Sequence, residues 1–186
     1  MARFSDERRR ACAASFGSAR GFTMVELITV MVVIGILGAI GASRFFDNNT
    51  FAGRAYADQA KSIVRYAQKL AIARNGMVFV RAAPAGFAVC FTANCAAAAE
   101  LALSPAGGNS GSAATRAACT LTNNYVANWL CEGTPAGVVV TGVAPGNVFS
   151  FDPMGRPSFA APLTLTFTSG TSVYQFTVES ETGYVH

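Results

Sequence analysis

The chain has 186 residues, 13% of them charged and 52% hydrophobic, a balance that argues against disorder and for membrane or assembly contacts. Its net charge of +4 sits mostly at the front: residues 1–21 carry Arg3, Arg8, Arg9, Arg10 and Arg20 against Asp6 and Glu7, a net +3. The nine bases and eight acids of residues 22–186 leave +1, too little for phosphate polymers to be held by bulk charge. The length predicts one domain with room for a core.

Residues 22–43 read FTMVELITVMVVIGILGAIGAS, with a single charge at Glu26. At 1.5 Å per residue such a helix spans roughly 33 Å, enough for a hydrocarbon core of about 30 Å. The basic residues before it predict a cytoplasmic front and a C-terminal part outside the inner membrane. Gly35, Gly38 and Gly41 recur every three residues and thin one helix face for close helix contact; simple glycine tolerance in a membrane helix is the plainer account. A secretory signal peptide cut near Ala39–Ser43 competes, but this apolar run is longer than usual and has an acid near its start. A carboxylate in lipid costs about 2–3 kcal/mol at mid-membrane and less near the interface. No lysine or arginine stands three or four residues from Glu26. Either its partner comes from elsewhere or it is solvated among headgroups.

The stretch Arg20-Gly21-Phe22-Thr23-Met24-Val25-Glu26-Leu27 and the apolar run after it resemble the class III signal of type IV prepilins and type II secretion pseudopilins. The resemblance implies cleavage by prepilin peptidase between Gly21 and Phe22 and N-methylation of Phe22. It also implies an assembly role for Glu26, paired with the freed N-terminal amine of a neighbouring subunit. Further along, Arg44-Phe45-Phe46-Asp47, Tyr66-Ala67-Gln68-Lys69-Leu70-Ala71, Phe151-Asp152-Pro153-Met154-Gly155-Arg156-Pro157 and Glu181-Thr182-Gly183-Tyr184-Val185 resemble minor pilins of the general-secretion H and FimT group. Within that group they are similar to the C-type minor pilins of mannose-sensitive haemagglutinin pili. Relatives often have proline where Ser43 stands, so a helix break there is open.

After Asp47-Asn48-Asn49, Tyr56, Ala60, Ile63, Ala67, Leu70 and Ala71 fall at helical spacing and predict a face packed on a sheet. Lys61, Arg65 and Lys69 lie four apart and read as a solvated face. Asn75-Gly76 is a helix stop. Residues 77–82 and 87–92 flank Pro84-Ala85-Gly86 as a hairpin. Further strands are expected over 138–143, 148–151, 163–168 and 172–178, with a short last one through Tyr184. Along 163–168 Leu and Phe alternate with Thr, one face apolar and one hydroxylated. Asp152-Pro153-Met154-Gly155 is a turn. Residues 93–137 are the least regular, and Gly107-Gly108-Asn109-Ser110-Gly111-Ser112 reads as a flexible exposed loop.

Beyond Cys12, Cys90, Cys95, Cys119 and Cys131 are even in number and suit an oxidising compartment. Three pairings are open, and the local one, Cys90–Cys95 with Cys119–Cys131, is the expectation. The second link would contribute about 3 kcal/mol by the loop-entropy model. A four-thiolate zinc site is the alternative, but the gaps of 4, 23 and 11 residues lack paired CxxC knuckles. No metal or other cofactor is expected.

Catalysis finds no constellation. The only histidine, His186, reads as a solvated end. Asp47, Asp58, Glu100, Glu132, Asp152, Glu179 and Glu181 form no paired or metal motif. Glu179 and Glu181 would share a strand face as a polar rim. Tyr125 and Trp129 read as core rather than as a contact patch. The expected fold is α+β: a cleaved leader (1–21), a transmembrane and assembly helix (22–43), its amphipathic continuation (44–76) and an antiparallel β-rich head (77–186). The expected function is that of a structural minor pilin of the inner membrane, with a periplasmic head, later entering a pilus or pseudopilus. Its partners would be prepilin peptidase, other pilin subunits and an inner-membrane assembly platform. The alternatives are a type II secretion pseudopilin, a DNA-binding minor pilin for uptake, and a secreted enzyme behind a signal peptide.

Overall fold

The computed structural model of the chain describes residues 22–45 and 48–186, with side chains from Phe22 to Gly38 and from Phe51 onward. The expected leader with Gly21 and Cys12 lies outside the described residues, as do Phe46 and Asp47. The chain divides into two compact units, residues 1–46 and 47–186. The first holds helix α1, Met24–Phe45, which continues through Ser43, so no break occurs there.

The second unit opens with α2, Asn48–Arg74. Its end follows the Asn-Gly signal. Asn75 takes the left-handed φ of +49°. Its N–H donates to the Ile72 carbonyl at 3.2 Å, and the Gly76 N–H donates to the Ala71 carbonyl at 3.2 Å. These two bonds satisfy carbonyls that the last turn would otherwise leave open. One face of α2 is buried: Tyr56, Ala57, Ala60, Ile63, Val64, Ala67 and Ala71. The spacing of three and four residues makes that stripe, and its alanines let strands approach the helix closely.

Strands β1 (Val78–Ala83), β2 (Gly86–Cys90), β5 (Cys131–Gly133) and β7 (Val148–Phe151) form a sheet in the order β5-β2-β1-β7. Strands β6 (Val138–Thr141), β8 (Leu163–Ser169) and β9 (Ser172–Val178) form a second sheet in the order β6-β8-β9. All pairings are antiparallel. The head is thus built from two main sheets rather than one, and α2 packs on both. On β8, Leu165 and Phe167 are buried, while Thr164 bonds Thr177 at 2.9 Å and Thr166 accepts from Gln175 at 3.1 Å on the outer face. The final stretch runs beside β9 through reciprocal Thr177–His186 backbone bonds of 3.0 Å.

Residues 93–137 hold more regular structure than the sequence promised. They include a helical turn at Ala98–Glu100, helix α3 (Ala113–Ala118), the ribbon β3 (Thr120–Leu121) and β4 (Asn124–Tyr125), and β5. Segment 107–112 is not a free loop. The Asn109 side chain donates to the Val126 carbonyl at 3.0 Å, and the Ser110 N–H and hydroxyl both donate to Glu132, at 2.7 and 2.6 Å. The Gly/Ser/Asn composition signals backbone freedom, but Glu132, distant in sequence, uses the donors it supplies.

Tyr56 ties the layers together. Its ring meets Phe87 of the first sheet and Phe167 of the second, with centroids 6.1 and 5.8 Å away. Its hydroxyl bonds Thr134 at 2.9 Å. Burial, opposed by that hydrogen bond, pushes the phenol up to about 12.

Gln68 ties the loops. Its amide donates to the Gly155 carbonyl at 3.0 Å and to the Thr182 carbonyl at 2.8 Å. A Cβ on Gly183, itself at φ +65°, would lie 2.3 Å from the Gly155 carbonyl oxygen, so the two loops meet backbone to backbone. Arg65, one turn before Gln68, donates to the Val185 carbonyl at 3.2 and 2.6 Å. It is therefore a clamp on the last strand and not a merely solvated cation. Within the 152–157 turn, Asp152 accepts from the Met154 and Arg156 N–H groups, both at 2.8 Å. The Arg156 N–H, above all, holds its carboxyl below the ordinary value.

Both ties can be tested. Because the folded phenol of Tyr56 titrates above an unfolded one, its contribution is complete below pH 10 and declines as pH rises towards 12. Thermal melts should show an alkaline loss of about 2–3 kcal/mol that Tyr56→Phe removes. Gln68→Ala should cost about 1–3 kcal/mol by stranding two carbonyls. Amide exchange should then rise at 152–157 and 179–185 more than in β8.

Candidate assembly interface

Helix α1 begins at Met24 because Thr23 caps it. The Glu26 N–H donates to the Thr23 hydroxyl at 3.3 Å, and the Leu27 N–H donates to the Thr23 carbonyl at 3.2 Å. Thr23-Met24-Val25-Glu26 has the spacing of a capping box, with the acid at the third helical position. That signal is plain in the sequence, and reading Glu26 only as a membrane charge overlooks it. A carboxylate in the first turn also faces the positive end of the helix dipole, which offsets part of its cost before any partner arrives. Glu26 and Phe22 are thus placed together along one capped helix start; Gly21 lies outside the described residues.

Around α1 every large apolar side chain described, from Phe22 to Leu37, is 50–84% exposed. No face is spared. A Cβ placed on Gly35 or Gly38 would meet nothing within 4 Å among the described residues. A helix apolar on all sides requires an apolar surround, since each such side chain gains about 1.5–3 kcal/mol on burial. Among the described residues no helix is long and apolar enough to cross a membrane; side chains of α1 are described to Gly38, and the apolar sequence runs on to Ser43.

In the head, the structure joins Cys90 to Cys95 and Cys119 to Cys131, which leaves none of these thiols for a metal. Among the described residues no group of three or more histidines, cysteines or acids could hold a metal ion. Glu132, an acid given no role from sequence, is the buried hub of the irregular segment. Besides Ser110 it accepts from the Thr115 hydroxyl at 2.6 Å, and Thr115 in turn accepts from the Gly133 N–H at 3.2 Å. Nothing in a lone Glu between Cys131 and Gly133 reveals this; its donors lie 17 and 22 residues away.

Trp129 is buried and donates its indole N–H to the Val89 carbonyl at 2.9 Å, and the Tyr125 hydroxyl donates to Asn109. Both serve packing. Glu179 and Glu181 do not share a strand face, because β9 stops at Val178 and a turn follows. Glu179 instead pairs with His186 at 2.8 Å on the surface. The basic row keeps the half-buried Lys61 and the exposed Lys69, with Arg65 committed to Val185.

Residues 17–42 match the family model described as the prokaryotic N-terminal methylation motif. Over 53 residues the chain is 45% identical to the type IV narrow pilus major component PilA5 of Thermus thermophilus, covering 28% of this chain and 46% of that protein. The chain thus spans about half the length of that curated relative. Two crystal structures of the type IV minor pilin FimU of Pseudomonas aeruginosa PAO1 are similar at TM-scores of 0.45 and 0.44. Their identities are 11% and 10%; each comparison covers 72% of this chain, and 85% or 90% of the other. Neither of these two likenesses is close enough to transfer a detail of fold or a role.

Glu132→Ala should lower head stability by about 1–3 kcal/mol, since it removes the shared acceptor of the Ser110 N–H and hydroxyl and of the buried Thr115 hydroxyl. Thermal denaturation would measure it, and exchange should accelerate first at 109–116.

Proposed function

We propose that the chain is a structural minor pilin subunit, anchored by its apolar stem and assembled laterally through it. The observation that carries this reading is a methylation motif on a capped helix start, followed by large apolar side chains that are exposed all round the described part of the helix. In this reading prepilin peptidase cuts between Gly21 and Phe22 and methylates Phe22. The stem then waits in the inner membrane with the head in the periplasm. Other subunits next replace lipid around α1, an assembly platform drives the exchange, and a neighbour's freed amine neutralises Glu26. The relative PilA5 is described as a pilus major component, which supports a pilus over other uses of the stem. No constellation for catalysis and no strong phosphate-binding charge favours the enzyme or DNA-uptake alternatives. The type II secretion pseudopilin, with the same stem, is the second reading, for the neighbouring genes to decide.

N-terminal sequencing of the mature protein should begin at methylated Phe22; a start near Ser43 would refute the reading. Glu26→Ala should leave cleavage intact and cut filament incorporation at least several-fold, measured in sheared pilus fractions. Wild-type incorporation by that variant would remove Glu26 from the mechanism.

A further inference from the structure

We propose that the excursion from Phe91 to Leu130 is a separately melting lobe whose closed form is set by the redox state of its two cystines. Buried apolar residues in the head fall into two clusters. The main one joins α2 to both sheets and contains no cysteine. The second consists of Ala88, Cys90, Cys95, Leu101, Cys119, Trp129 and Cys131, so four of its seven members are half-cystines. Ala88 belongs to β2. The fully buried apolar side chains that the excursion brings to this cluster without sulfur are Leu101 and Trp129, with Ala118, Leu121, Tyr125 and Val126 only partly buried against them, too small a core to order a segment of this length without cross-links.

Local structure offers little more. Helix α3 has six residues, and β3 and β4 have two each. The lobe is fastened to the main core by Ala102 and Leu130, which are buried there, and by their backbone bonds to Val89 of 3.1 and 3.0 Å. The Glu132 bonds to Ser110 and Thr115 hold its middle. The Glu132 bonds are polar fastenings that reach from β5 to a segment closed on itself by the Cys119–Cys131 link.

Reduction by a dithiol transfers two electrons and two protons to each cystine, yielding two thiols and the disulfide of the reductant. The lobe then loses its cross-links and opens, while the main core, which uses no sulfur, stays folded. On the topology proposed above, the lobe's surface forms only after the head reaches an oxidising compartment.

The test uses the full chain in detergent micelles and does not depend on assembly. Trp129 is the only tryptophan and is 5% exposed, so its emission reports the lobe alone. Dithiothreitol is added until titration finds the four thiols of the two cystines in addition to Cys12. The expected result is Trp129 emission shifted to longer wavelength and loss of amide protection at 109–128. Helical ellipticity and protection in α2, β8 and β9 should persist. Free thiols with unchanged emission and protection would overturn the proposal, as would loss of α2 and β8 protection in the same step. Should the buried cystines resist the dithiol, the chain carrying Cys90→Ala, Cys95→Ala, Cys119→Ala and Cys131→Ala takes its place. The same open lobe on a folded core is expected, and native Trp129 emission or a fully unfolded head would each refute it.

Discussion

Burial of one alanine-rich face of α2 against two sheets is the contact on which the head depends. Neither sheet covers itself: the apolar sides of β1, β2 and β7 and of β8 and β9 meet over Tyr56, Ala60, Val64 and Ala67. Small side chains at those positions allow the helix to approach both sheets at once, and Tyr56 fills the junction with an aromatic ring between Phe87 and Phe167. A larger residue at Ala60 or Ala67 would push strands apart, because packed interiors give little room for added volume.

The two long helices solve opposite problems. α2 is amphipathic and finishes its packing within its own chain. α1 is apolar all round, and its described large apolar side chains are exposed. Glu26, the one charged residue from Phe22 to Gly38, stands in the first turn, under a threonine cap, where the helix itself makes a carboxylate least costly. The sequence thus separates a part that folds alone from a part that needs a surround, and the proposed function lies in the second.

Much of this was legible beforehand because it rests on short-range signals. Alternation marks β8, Asn75-Gly76 ends α2, and spacing picks out most of its buried face. The cysteines are paired locally, as the small loop between Cys90 and Cys95 favours. What the sequence does not display is long-range. Glu132 gathers Ser110 and Thr115, Arg65 reaches Val185, and the polar run 107–112 is pinned where its composition promises freedom. Such contacts leave no periodicity. Tyr66–Ala71, Phe151–Pro157 and Glu181–Val185 stand far apart in the sequence. The structure brings them to one point at Gln68.

That convergence makes Gln68 intolerant of its nearest isostere. Both bonds leave a single NH2 and end on carbonyl oxygens. A glutamate of the same size would turn lone pairs towards lone pairs and set a negative charge against two dipoles pointing the wrong way. Shape alone would accept the exchange; the direction of the protons rejects it.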